Sequence, residues 1–170
     1  MAVGQDESMV DAVVAEAMKK AAVAWVTVGD RPAVGLWCLP LGDALYVVSG
    51  PGEQSAPGLA DAAGATVGLR GDHGGRITTF PAAVTRVVPD TDEWTEVAPQ
   101  LAGKRLNAPG TAADLAARWA AECVVSRLAP AGAPLPPGDG SEAAPPRPTP
   151  AARTTRKPFR LHRVRRPRAD

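Results

Sequence analysis

The sequence is poor in the residues that carry metal and nucleophilic chemistry. Its 170 residues hold two histidines and two cysteines. His73 lies in a glycine-rich loop and His162 in a basic stretch near the end. Neither has a cysteine or carboxylate at ligand spacing, so no metal site is expected. Cys38 and Cys123 stand far apart, each within an apolar run. They read as buried free thiols, which suits a reducing cytosol and a cytoplasmic protein. No apolar run approaches the length of a membrane span. The first twenty residues put acidic residues ahead of the apolar positions and lysines after them, which is not the order of a signal peptide. Ser49-Gly50-Pro51-Gly52-Glu53 is not a nucleophile elbow, and Ser49 and Ser55 have no obvious base partner. Gly50-x-Gly52-x-x-Ser55 lacks the third glycine of a dinucleotide fingerprint, and no strand–helix–strand unit of the right length surrounds it. No internal repeat is evident.

What is there is a small apolar-rich domain with an appendage. Apolar residues make up 45% of the chain, enough for a core within the first 130 residues. The net charge of +1 conceals an asymmetry. Residues 1–130 carry 10 Lys and Arg against 15 Asp and Glu, a balance of −5; residues 131–170 carry 9 against 3, a balance of +6. From Ala131 the composition turns to proline, alanine and glycine, which cannot bury a core. The expected organisation is a domain over 1–130, a Pro/Ala-rich linker over 131–152 and a basic tail over 153–170.

Within the domain, Met9, Val10, Val13, Val14, Ala17 and Met18 recur at helical spacing and predict a short amphipathic helix. Residues 22–28 and 33–39 read as two strands of a hairpin. Pro40-Leu41-Gly42-Asp43 turns into a third strand over 44–49, giving an antiparallel meander. Trp25 and Trp37 read as core or interface aromatics. A short helix over 58–63 leads to a fourth strand over 65–70, and a loop over 71–75 leads to a long fifth strand over 76–88. Pro81 there calls for a bulge or an edge. A helix over 93–106, kinked or split by Pro99, is followed by a second helix over 111–122 and a last strand over 123–128. Six short strands without edge protection suggest a closed or nearly closed barrel.

The stretch Leu45 to Ala62 organises the rest. An apolar strand runs into Ser49-Gly50-Pro51-Gly52-Glu53-Gln54-Ser55 and then a helix start. Two readings are open. Glycines and a helix start can cradle an anion, or the glycines serve only the dihedrals of a tight connection. Arg70 ends one strand and Arg76 begins the next. Paired as a hairpin, they flank one turn and could hold a phosphate, or they are ordinary solvated strand-end charges.

Three stretches carry a family resemblance: "AWVTVGDRPAVGLWCLPLGDALYVVSGPGEQSAPGLADA", "ATVGLRGDHGGRITTFPAAVTRV" and "KRLNAP…ARWAAECVVSRLAP". From about Ala22 to Leu128 the chain resembles the pyridoxamine 5′-phosphate oxidase-like, flavin-binding split barrels, more narrowly their small actinobacterial members. The resemblance implies a six-stranded antiparallel split β-barrel with short flanking helices, dimerising with two cofactor sites at the interface. It implies FMN or the deazaflavin F420, with FAD and haem as the cofactors of related branches. It places phosphate contacts at Ser49, Gln54 and Ser55 and lines the ring region loosely with Arg70, Arg76 and Thr78. The chain departs from the oxidase itself. Its second strand, "AVGLWCL", lacks the arginine–lysine pair, and its turn carries an acid in place of a Ser-Arg-Lys run. Pyridoxamine phosphate is therefore not the expected substrate.

The resulting expectation is a homodimeric flavin-type cofactor-binding protein acting as an oxidoreductase on a small molecule. No proton donor is assigned; His73 is a candidate because a histidine titrates near neutrality. The alternative is a non-catalytic ligand-binding or interaction module whose tail, with eight basic residues in 153–170, seeks nucleic acid or another polyanion. That tail could also add a strand to its own or its partner's barrel.

Overall fold

A computed structural model describes residues 11–70 and 77–136. The chain divides into two units, 1–137 and 138–170, and every described residue belongs to the first. His73, Arg76, His162 and the basic tail lie outside the described residues.

The order is α1 (Ala12–Lys19), β1 (Val23–Thr27), β2 (Val34–Trp37), β3 (Leu39–Leu41), β4 (Ala44–Ser49), a 3-10 turn (Leu59–Asp61), β5 (Gly64–Arg70), β6 (Ile77–Val87), α2 (Asp92–Lys104), α3 (Ala112–Glu122) and β7 (Val124–Pro130). The strands form one antiparallel sheet in the order β2-β1-β5-β6-β7-β4-β3. Its two edge strands, β2 and β3, are consecutive in the chain and separated by Cys38 alone. The sheet therefore curls until its ends nearly meet, with β2 and β3 acting as one bent strand shared by both edges. The Cys38 amide donates to the Ala22 carbonyl at 3.0 Å at that bend.

This bend is why there are seven strands rather than six. The run over 33–39 does not continue as a flat strand into a four-residue turn. Pro40 and Leu41 belong to β3, and the turn shrinks to Gly42-Asp43 between paired Leu41 and Ala44. Gly42 has φ of 60°, the positive value that a two-residue hairpin needs at its first central position. The meander is thus two hairpins, β1–β2 and β3–β4, and β4 pairs onward with β7.

Two apolar layers hold the fold. Inside the barrel, Val26, Leu36, Leu45, Val47, Val67, Leu69, Phe80, Val84 and Leu128 pack together, plugged by Val14 and Met18 of α1 and by Leu59 of the 3-10 turn. Outside it, Ala44, Tyr46, Val48 and Val125 pack under Val97 and Leu101 of α2 and Leu115 and Trp119 of α3. Every residue of β4 is therefore buried, the expected consequence of an unbroken apolar run covered on both faces. By contrast β1 alternates exposed and buried, and no described helix covers its outer face.

The helices begin where their caps dictate. Asp11 accepts from the Val13 amide at 2.8 Å, and Thr91 accepts from the Trp94 amide at 3.2 Å. Thr111 and Asp114 form a reciprocal capping box. α2 runs unbroken through Pro99 rather than splitting. Pro99 and Thr95, whose carbonyl loses its helical partner, are both exposed, so water can solvate it. Pro81 keeps β6 continuous because β7 ends opposite Ala82. Beside it the chain only borders β6, and the Pro81 carbonyl accepts from the Ala131 amide at 2.9 Å. The residues after β7 follow β6 further, with the Leu135 amide donating to Thr79 at 2.7 Å.

Candidate functional site

Two regions are candidates for a site: the glycine-rich turn at the end of β4, and the uncovered outer face of β2-β1-β5-β6.

The turn is a tight connection. Gly50 has φ of 142°, and a Cβ there would meet the Cys123 Cα and Sγ at 3.0 Å, so glycine is required both by dihedral and by close approach. Two of its amides are used inside it: Gly50 donates to the Gln54 carbonyl at 3.3 Å and Glu53 to the Gly50 carbonyl at 3.0 Å. Gln54 clips the turn to the bent strand. Its Oε1 accepts from the Trp37 amide at 2.5 Å, and its Nε2 donates to the Trp37 carbonyl at 3.1 Å.

Glu53 is the centre of the turn's electrostatics. Its side chain is 1% exposed. One carboxylate oxygen accepts from Arg105 Nε at 2.9 Å. The other accepts from Arg118 Nη2 and, at 3.0 Å, from Trp119 Nε1. Arg118 Nη1 donates to the Pro51 carbonyl at 2.8 Å. Burial pushes the Glu53 pKa up, but the donations from Trp119, Arg105 and Arg118 together outweigh it and hold the carboxyl below its ordinary range. The C-terminal end of α2 and the middle of α3 are thereby tied to the turn. Trp37 packs on Trp119 with ring centroids 6.5 Å apart.

A cleft of about 340 Å³ opens beside the turn, lined by Ser49, Glu53, Gln54, Ser55, Glu122 and Val124 among others. Ser49 is nearly buried and Ser55 is exposed. Among the described lining residues stand two acidic residues and no basic one. Glu122 is exposed, whereas the Glu53 side chain is turned away from solvent onto Arg105 and Arg118, and the Gln54 side-chain amide is committed to backbone.

The outer face is different. Trp25 is 46% and Val23 48% exposed. Trp25 pairs with Gly35 on one side and Gly68 on the other, and its ring lies 3.4 Å from where a Cβ on Gly35 would stand. The row continues to Thr79 and then Leu135. Small residues flanking an indole make a flat, apolar floor. Arg70 pairs with Ile77, so β5 and β6 do form the hairpin around the loop that holds Arg76. Arg70 is exposed and shares the parity of Gly68 and Thr66, hence the outer face. Extending the β1–β5 register by two residues puts it beside Val23, which pairs with Trp37, the residue Gln54 clips. Arg70 and Trp37 are thus two strands apart, about 10 Å. Thr78 stands apart from this set. It shares the parity of Phe80, Ala82 and Val84, its side chain turns inward, and it is 8% exposed.

Sequence reasoning did not find Glu53, Arg105, Arg118 and Trp119 as one cluster. Arg105, Arg118 and Trp119 lie 52 to 66 positions from Glu53, and the sequence signal is a charge set next to a buried tryptophan on α3. Cys38 and Cys123 are free and buried, as expected. Burial pushes the Cys38 thiol up to about 12, and burial is also the main cause of the raised Cys123 pKa. Among the described residues no group of three His, Cys, Asp or Glu could hold a metal ion, and no helix is long and apolar enough to cross a membrane.

The barrel matches solved structures. HutZ, a heme storage protein from Vibrio cholerae, aligns over 72% of this chain and 90% of its own at 17% identity, with a TM-score of 0.53. The fold is the split barrel. A FAD-binding protein from Mesorhizobium loti aligns over 69% of this chain and 87% of its own, at 18% identity and a TM-score of 0.48. A putative pyridoxamine 5′-phosphate oxidase from Listeria innocua aligns over 67% and 87%, at 16% identity and 0.47. No protein-family model matches the sequence, and no curated protein is significantly similar to it. The split barrel is the architecture that the resemblance implied, with the strand count corrected to seven.

Proposed function

We propose that this chain binds a planar cofactor on the outer face of β2-β1-β5-β6, and that a second copy of the chain covers that face. The cofactor is a flavin, FMN or F420, with FAD and haem as alternatives. The observation that carries the reading is the one-sidedness of the barrel. α2 and α3 bury the outer face of β4 and β7, whereas Trp25 and Val23 stay half exposed on a floor that includes Gly35 and Gly68. An exposed indole on a flat apolar floor stabilises a stacked ring, and such patches mark binding surfaces. Arg70 at the edge of the face supplies a guanidinium for a phosphate or carboxylate on the ring's substituent. Arg76 is its proposed companion and lies outside the described residues. The split barrel shared with HutZ, a heme storage protein, supports the cofactor class, although a fold by itself does not assign function.

When bound, a flavin would supply two-electron chemistry toward a small molecule, and the chain's part is to bind and orient it. The buried free thiols suit a reducing cytoplasm. The test is a visible absorption spectrum of the purified protein, followed by titration with FMN, F420 and haem alongside a molar-mass measurement. The reading expects micromolar or tighter binding of one of them by a dimer. Failure of an intact dimer to bind any of them would reject it.

A further inference from the structure

We propose that Glu53 is a tethered anion that makes the glycine-rich turn select against phosphate-bearing ligands. Two guanidinium groups and an indole N–H converge on one point, contributed by Arg105, Arg118 and Trp119. That donor set is what a phosphate monoester takes, and here a carboxylate of the chain itself fills it. The carboxylate is 1% exposed, whereas the Arg105 and Arg118 side chains keep 28% and 32% of their surface. The acid is sealed in and the bases reach solvent at their flanks. A ligand phosphate would have to displace a group already held in the chain at high effective concentration. It would then leave a second negative charge beside itself in a desolvated place. The adjoining cleft adds an acid of its own, because the exposed Glu122 stands on its wall. The part of a ligand that enters this cleft is therefore neutral and hydroxylated, or cationic. This inference deepens the cofactor reading and rests on it for the flavin comparison only; the anion response of the turn stands alone. Among the described residues, Arg31, whose guanidinium lies over Gly58, and Arg70 are arginines that Glu53 does not claim.

The experiment has two arms. In the first, thermal unfolding of wild type, Glu53→Gln and Glu53→Ala is followed in phosphate and in chloride at equal ionic strength. Wild type should gain only the general stabilisation that excluded phosphate gives a folded protein. The variants should melt lower in chloride and gain several degrees more from phosphate than wild type does, with Glu53→Gln serving where Glu53→Ala does not fold. Phosphate stabilisation of wild type that Arg118→Ala abolishes and Arg31→Ala leaves intact would overturn the proposal. So would variants that gain no response to phosphate. In the second arm, riboflavin and FMN are titrated against wild type and Glu53→Gln. Arg70 serves both proteins alike, so the preference of the variant for FMN over riboflavin should exceed that of wild type by roughly tenfold or more, the size of one charge-assisted contact. A tenfold preference of wild type for FMN that Arg118→Ala removes would also overturn the proposal. Binding of neither flavin would reject the flavin reading and leave the first arm to decide.

Discussion

Replacing Glu53 with glutamine removes one charge and little volume from the point where three chain segments meet. The amide oxygen of glutamine can still accept from Trp119 Nε1 or one arginine, but the two charge-assisted donations from Arg105 and Arg118 cannot both survive. A hydrogen bond to a charged group contributes about 1.5–3 kcal/mol, and breaking a fully buried pair costs about 3–5 kcal/mol. The two arginines are roughly 30% exposed, so water screens part of the stranded charge. The expected loss is about 2–4 kcal/mol at pH 7. The pH dependence has a definite sign. The folded carboxyl ionises below its ordinary range, whereas in the unfolded chain it titrates near 4.3. Its contribution is complete above about pH 5 and is lost as pH falls through the lowered folded value. Urea unfolding of wild type and Glu53→Gln at pH 7 and at stepwise lower pH measures the difference. A gap near zero at pH 7, or a gap that widens on acidification, would refute the reasoning.

Gln54→Ala should remove the clip between the turn and the bent strand. It strands the Trp37 amide and carbonyl, now paired at 2.5 and 3.1 Å, and costs about 1–3 kcal/mol. The urea midpoint should fall with the m-value unchanged; an unchanged midpoint would show that the barrel closes without it. Both thiols should resist an aromatic disulfide reagent in the native protein and react fully in denaturant. Rapid native labelling of Cys38, whose pKa burial raises to about 12, would contradict its place in the barrel core.

Much of the fold was legible in the sequence, because local signals and tertiary packing agree. The unbroken apolar run of β4 marks a strand covered on both faces, whereas the single covered face of β1 was not legible, because Val23-Ala24-Trp25-Val26 is just as apolar and alternates only in its burial. The two helices after β6 were legible from their apolar spacing. The bend at Cys38 was not legible. Nothing local separates a long strand from two short ones that serve opposite edges, and the extra strand comes from curling the sheet until it nearly closes. The inward turn of Thr78 follows from its parity with Phe80 and Ala82, but Pro81 within the run obscured that alternation. Of the candidate site, the placement of Arg70 at a hairpin was legible. The engagement of the turn by Arg105 and Arg118 was not, because it depends on how α2 and α3 pack over β4 and β7, a long-range outcome that no spacing encodes. An acid in a glycine-rich turn was visible; its partners were not.

The uncovered outer face, and not the helical side, is the proposed seat of the cofactor ring. Chemical-shift mapping of the amide spectrum during titration with the flavin or haem that binds would test it most directly. The account predicts perturbations centred on Val23–Thr27, Gly35, Thr66–Arg70 and Thr79. Perturbations confined to α2 and α3, or to the pocket lined by Met18, Lys19, Leu41 and Asp43, would contradict it.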